Sequence, residues 1–143
     1  MKKVVVSAFF AMFSLGVLAQ TNTSELPANA KDFINQHFSP ASVSEVQENN
    51  SWEIWENEKY DVKLSDGTEL DFDENGNVLE IDSPKNQAIP QDALPSEITT
   101  YIRSNYNGAE IVSWEKSDND QEIELADGTE LEFDAEGDFR KVD

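Results

Sequence analysis

The sequence predicts an α+β fold of two tandem α-β-β-β-β repeats, joined into one antiparallel sheet of about eight strands with both helices on one face. Three observations predict it. Asp66-Gly67-Thr68-Glu69-Leu70-Asp71-Phe72-Asp73 returns as Asp127-Gly128-Thr129-Glu130-Leu131-Glu132-Phe133-Asp134, with one acid exchanged for another. Leu70 and Phe72, like Leu131 and Phe133, alternate with acids, the period of a strand with one buried and one wet face. An apolar stripe at helical spacing precedes each copy, and units of about 50 residues are marginal alone, which favours a shared sheet under a helical layer.

The turn inside each duplicated hairpin follows from testing registers. A two-residue Asp-Gly loop would set Leu125 against Glu130 and mix oil with charge on one face. A three-residue loop, Ala126-Asp127-Gly128, sets Leu125 against Thr129 and Ile123 against Leu131. That is a type I turn closed by a left-handed glycine, and Ser65-Asp66-Gly67 fits it equally. The same register places Glu124 opposite Glu130, Glu122 opposite Glu132, Lys63 opposite Glu69 and Asp61 opposite Asp71. Like charges directly opposite destabilise a strand pair, so this face departs from what folding alone prefers.

At the N-terminus, Met1-Lys2-Lys3, an uncharged apolar run from Val4 to Leu18, and Ala19 read as a signal peptide over residues 1–19, cleaved before Gln20. The run is too short to favour a retained membrane anchor. The expected location is therefore the periplasm or the exterior. There is no cysteine, which excludes disulfides and lipoprotein attachment. Removing the leader takes away Lys2 and Lys3 and no acid, so the formal charge moves from −20 to −22. Nucleic acid and anionic membrane are poor partners for such a chain. The charge keeps an exported protein soluble, and it also suits a basic protein partner or a divalent cation.

In the first repeat, residues 20–82, Leu26-Pro27 opens a helix, with proline expected at the first helical position. Leu26, Ala30, Phe33, Ile34 and Phe38 share a stripe, and Ser39-Pro40 stops the run. Sixty-eight residues on, Leu94, Ile98, Tyr101, Ile102 and Tyr106 repeat the stripe after Pro95 in the second repeat, residues 93–143. Val43 with Val46, and Ile111 with Val112 and Trp114, lead the first strand of each unit. Beyond them the offset drops to 61, so the first copy carries 7 extra residues within 49–58. The last strands are Val78 to Ile81 and Phe139 to Val142. Their register stays open, because Leu79 and Ile81 favour one pairing and Phe133 opposite Phe139 another. Ser83 to Asp92, with Pro84 and Pro90, reads as a linker.

Leu-Pro opening a helix, and Tyr-x-Val-x-Leu-x-Asp-Gly-Thr-Glu-Leu-x-Phe-Asp-x-x-Gly running from Tyr60 to Gly76, together resemble the PepSY-like family, described as β-lactamase-inhibitor-like and frequent in secreted proteins of Bacteroidetes-type bacteria. The second copy has Gln121 in place of the tyrosine. The resemblance spans nearly the whole mature chain. It implies the tandem helix-plus-four-strand architecture and a role in binding or inhibiting an extracytoplasmic protein.

The residues expected to meet a protein partner are Trp52, Ile54, Trp55 and Tyr60, in or beside the insertion, together with Asp61, Asp71, Glu122, Glu124, Glu130 and Glu132 on the acidic face. Tryptophan and tyrosine are favoured interface anchors, and the shared core of the repeat does not need an insertion. Asp71, Asp73 and Asn75, with Gly76 and Asp82, match the spacing of an EF-hand loop, but strands rather than helices flank them, so a hairpin turn is expected there and a surface cation is the weaker alternative. His37, the sole histidine, lies at a helix boundary. No nucleophile elbow, phosphate loop, dinucleotide fingerprint or zinc set occurs, so no cofactor is implied. Solvated strand acids would lack the raised pKa of an acid catalyst. The expectation is a non-enzymatic exported binding module, with a calcium- or cation-responsive protein as the alternative.

Overall fold

The computed structural model describes residues 25–49 and 58–143. The leader expected over residues 1–19 lies outside them. The described chain runs α1 (Ala28–His37), β1 (Val43–Glu48), β2 (Tyr60–Leu64), β3 (Glu69–Phe72), β4 (Val78–Asp82), a short 3-10 turn (Gln91–Ala93), α2 (Ser96–Asn105), β5 (Ile111–Lys116), β6 (Asp120–Leu125), β7 (Glu130–Asp134) and β8 (Phe139–Val142). All eight strands form one antiparallel sheet in sequence order. The two repeats meet where β4 pairs with β5, Ile81 opposite Trp114.

The register is the one that segregates oil from charge. Ile123 faces Leu131, Val62 faces Leu70, and all four are buried. The three-residue turns close as expected, with the Gly67 and Gly128 amides donating to the Leu64 and Leu125 carbonyls and both glycines at positive φ. Asp66 and Asp127 steady these turns by accepting from the Thr68 and Thr129 amides. In the last hairpin of each repeat a β-bulge satisfies both competing registers. Leu70 pairs with Ile81 and Phe72 with Val78, leaving Leu79 as the extra residue; Leu131 pairs with Val142 and Phe133 with Phe139, leaving Arg140. A bulge inserts one residue on one strand and re-aims its neighbours, so the same ladder honours apolar pairs on both sides of it.

Both helices cover the apolar face. Leu26, Ala30, Ile34 and Phe38 from the first, and Ile98 and Ile102 from the second, are buried in one core with Leu70, Phe72, Leu131 and Phe133. Phe33 meets Phe72 edge-on at 6.0 Å, and Tyr101 meets Phe133 edge-on at 5.4 Å, so the duplicated aromatic contact recurs in each repeat. Such pairs contribute about 1 kcal/mol each beyond the area they bury. Pro27 and Pro95 sit one position earlier than expected, as N-caps, and their carbonyls accept from Lys31 and Thr99 to start each helix. A cap position has no intrahelical N–H duty, so proline fits there for the same reason it fits at the first turn.

The segment between the repeats is tied down along its length. The Ser83 and Ile89 amides donate to the Val112 and Ile111 carbonyls, Ile89 is buried, and Gln87 donates to Asp66 and Thr68. His37, at the end of α1, lies 3.0 Å from the Asp92 carboxylate and links the first helix to the approach to the second. In the second repeat, buried Gln121 accepts from the Trp114 indole and donates to the Asp134 and Ala135 carbonyls, so its amide is fully used where the first repeat has Tyr60.

Gly76 and Gly128 separate two costs of the left-handed turn. At Gly76, φ +80°, a Cβ would stand 2.8 Å from the Ala30 nitrogen and 2.9 Å from Pro27 Cβ, whereas at Gly128, φ +87°, nothing lies within 4 Å. Gly128→Ala is expected to cost about 1 kcal/mol from backbone strain alone, and Gly76→Ala about 3 kcal/mol because the turn must also withdraw from α1. Denaturant unfolding of the two variants measures the difference.

A carboxylate row as the candidate functional site

The register that buries the core aligns the opposite face. Following cross-strand neighbours gives one continuous row over all eight strands: Gln47, Asp61, Asp71, Glu80, Glu115, Glu122, Glu132 and Lys141. Six consecutive members are acids, on strands roughly 4.8 Å apart. A second row, Glu45, Lys63, Glu69, Asp82, Ser113, Glu124 and Glu130, runs beside it. That row is relieved by Lys63, 2.7 Å from Glu69, and by Lys85, 3.7 Å from Glu124.

The first row is densest where Glu58 approaches Asp71 and Glu80. One carboxylate oxygen from each of the three lies within 4.8 Å of the other two, and all three side chains are half-buried. Desolvation, then the charges of Asp61, Glu80 and Glu58, push Asp71 up to about 9. Desolvation, then Glu115 and Glu58, push Glu80 up to about 7, while a hydrogen bond from Asp71 partly offsets the rise. Burial raises Asp61 as well, against a 2.9 Å hydrogen bond from Asn49, and desolvation with its acidic neighbours raises Glu122. The expectation of unshifted, solvated strand acids is therefore overturned. Packing acids in register removes water between them, and each must then ionise beside the next.

The residues singled out in the sequence divide into four groups. Asp61, Asp71, Glu122 and Glu132 stand in the first row, and Glu124 and Glu130 in the second. Tyr60 lies on the other side of β2, packed against the apolar core, because it shares the strand face of Val62 and Leu64. Trp52, Ile54 and Trp55 lie outside the described residues. The loop spacing Asp71, Asp73, Asn75 is divided between two tasks: the Asp73 carboxylate accepts from the Asn75 and Asn77 amides and the Asn77 side chain, which holds it below the ordinary range despite some desolvation, while Asp71 turns to Glu80. It is the hairpin turn the flanking strands imply.

Glu58, Glu80 and Glu115 escaped the sequence reading. The signal for Glu80 was present, since a bulge at Leu79 sets it opposite Asp71, but Glu115 enters only through the β4–β5 seam. Chemically, a compact set of oxygen ligands with excess negative charge suits a hard divalent cation such as calcium.

A family model described as "Putative beta-lactamase-inhibitor-like, PepSY-like" matches residues 58–141. A crystal structure of a "putative calcium-regulated periplasmic protein" from Bacteroides thetaiotaomicron is 30% identical with a TM-score of 0.75, covering 84% of this chain and 91% of that one. A structure described as a "putative periplasmic protein" of the DUF2874 family from Bacteroides vulgatus gives the same values. A second Bacteroides vulgatus structure, described as a "putative periplasmic protein of unknown function", is 34% identical with a TM-score of 0.74, covering 87% of this chain and 96% of its own. No curated protein matches the chain. Among the described residues no helix is long and apolar enough to cross a membrane.

A carboxyl whose pKa rises on folding binds more protons in the native state between its unfolded and folded values, so stability falls as pH rises through that interval. For Asp71 the window runs from 3.8 to about 9, and for Glu80 from 4.5 to about 7. Without divalent cations, Tm is expected to fall steadily from pH 5 to pH 8. Asp71→Asn should flatten that slope and raise Tm at pH 8 by about 4 °C, the shift of roughly 1 kcal/mol in a domain of this size. Thermal melts across the pH series check both.

Proposed function

The chain belongs to the PepSY-like, beta-lactamase-inhibitor-like family, and on that premise we propose that it is an exported, non-enzymatic binding module whose Glu58, Asp71 and Glu80 carboxylates take a divalent cation, calcium by chemistry. The observation that carries this reading is the convergence of three half-buried carboxylates, two of them with strongly raised pKa values, on one spot of the sheet face. A cation there replaces mutual repulsion with attraction and lets both Asp71 and Glu80 ionise. The description of the Bacteroides thetaiotaomicron relative as calcium-regulated supports the same reading. The periplasmic descriptions of all three relatives, with the signal-peptide pattern of the first 19 residues, support an extracytoplasmic location.

We read the row as a binding surface rather than a catalytic one, in spite of its raised pKa values. It lies on the sheet face opposite the two described helices, and one cavity, lined by Ile89, Thr99, Ile102 and Ile111, lies on the helical side. A general acid needs a substrate held against it, commonly in a concave site. The family's inhibitor-like description agrees with a binding role.

Calcium at a hundredfold excess over its Kd should raise Tm by roughly 10 °C, from about 2.7 kcal/mol of linkage. Sodium chloride of matched ionic strength should not, and the Asp71→Asn, Glu80→Gln double variant should lose the response. Equal melts in calcium and in matched sodium chloride would remove the reading.

The same face supports a second, compatible reading, binding of a basic protein partner. Two parallel acidic rows over seven strands offer an extended surface for electrostatic docking. Trp52→Ala with Trp55→Ala is expected to leave the melt intact and abolish capture of a partner from a periplasmic extract. A collapsed melt would return those side chains to the fold.

A further inference from the structure

At offsets of 68 and 61, β1 corresponds to β5 and β4 to β8, so the seam between the repeats has a counterpart at the two outer edges of the sheet. At the seam, Glu80, Ile81 and Asp82 pair with Glu115, Trp114 and Ser113. Their equivalents are Lys141, Val142 and Asp143 at one edge and Gln47, Val46 and Glu45 at the other. Among the described residues no strand lies beyond β1 or β8. Burial records the difference: Ile81 is 0% exposed and Trp114 3%, whereas Val142 is 50% exposed and every β8 residue lies open.

The backbone of both edges is prepared as the seam is. The Ser83 amide donates to the Val112 carbonyl, so the alternation of an antiparallel ladder makes Ile81 and Trp114 the next hydrogen-bonded pair across the seam. The Asp143 amide donates to the Glu130 carbonyl, and the Asn49 amide to the Lys59 carbonyl. The same alternation therefore turns the Val142 and Val46 N–H groups outward from the sheet. Bulges and charged residues can blunt an edge strand. The bulge at Arg140, however, matches the one at Leu79, which leaves β4 competent to pair with β5.

Charge selects which edges meet. β8 carries Arg140 and Lys141, and β1 carries Glu45 and Glu48 with no base. Arg140 and Lys141 lie near Glu132, and Glu48 near Lys59, so the match is one of edge charge rather than of free ions. Two β8 edges joined about a two-fold axis would set bases against bases, and two β1 edges acids against acids, both destabilising. Joining β8 to β1 of another copy in the register of the seam sets Val142 against Val46 and Lys141 against Gln47, with Arg140 beside Glu48. Only Asp143 against Glu45 opposes it.

We infer that β8 docks on β1 of a second copy of this chain, head to tail, and continues the sheet between molecules as the seam continues it between repeats. A contact of this kind builds open arrays, or rings where the rotation closes. Three residue pairs make a small interface, so the association is weak and rises with concentration.

Sedimentation of the mature chain from micromolar to millimolar protein, with a chelator present so that no cation bridges the molecules, tests this. Val142→Pro removes the outward donor of β8 and Val46→Pro that of β1, and proline is tolerated at such edge positions. The mass of the wild type should climb past the dimer, each variant alone should stay monomeric, and their equimolar mixture should give a dimer and nothing larger, because it holds one intact edge of each kind. A wild type that stays monomeric at millimolar concentration overturns the inference. Dimers of Val46→Pro alone, or growth of both variants like the wild type, overturn it as well, since either places the contact elsewhere. If Val46→Pro does not fold, Glu48→Pro, at the next outward and exposed position of β1, replaces it.

Discussion

The coupling between the two faces of one strand governs this molecule. Side chains alternate across a strand with a period of two, so a register chosen for the buried face is imposed on the exposed one. Setting Ile123 against Leu131 and Val62 against Leu70 fills the core. It also sets Glu122 against Glu132 and Asp61 against Asp71. Several buried apolar pairs, each contributing about 1–3 kcal/mol, outweigh like-charge contacts of roughly 0.2–1 kcal/mol each. The sheet can therefore carry a charge pattern that opposes folding, and that pattern persists because the core leaves it no other register.

Duplication extends the pattern. Joining β4 to β5 makes the two acidic patches continuous, with Glu80 opposite Glu115 at the seam. Divergence between the copies then separates their roles. The second repeat has Lys141 and Arg140 on its edge strand, both close to Glu132, and a buried Gln121 where the first has Tyr60. The first repeat has acids at 58, 71 and 80, beside the insertion that the second lacks. Burial there strengthens every charge interaction, because the effective dielectric falls as water is excluded.

Much of the fold was legible in the sequence because the determinants are local. The Asp-Gly-Thr turns, the alternating Leu and Phe positions, and the helical stripes from Leu26 and Leu94 each specify geometry within a few residues. The like-charge pairs of the two central hairpins were legible for the same reason. Glu80 was harder, since its place depends on a bulge at Leu79 that two competing apolar registers left undecided. Glu115 was harder still, because a contact between repeats has no local signature. The raised pKa values follow from those non-local pairings, and so a sequence reading of solvated acids failed where the row is most crowded. Tyr60 was grouped with the aromatic insertion by proximity in the sequence, and its parity with Val62 and Leu64 packs it, half-buried, against the core.

The central claim is that Asp71 and Glu80 share a desolvated, cation-seeking spot on the sheet. Carbon-13 NMR titration of their side-chain carboxyls, with and without calcium, tests it most directly. The account predicts that without calcium Asp71 titrates far above the ordinary carboxylate range and Glu80 near neutrality, and that calcium moves both transitions to lower pH. Ordinary acidic titration of both groups, unmoved by calcium, would contradict it.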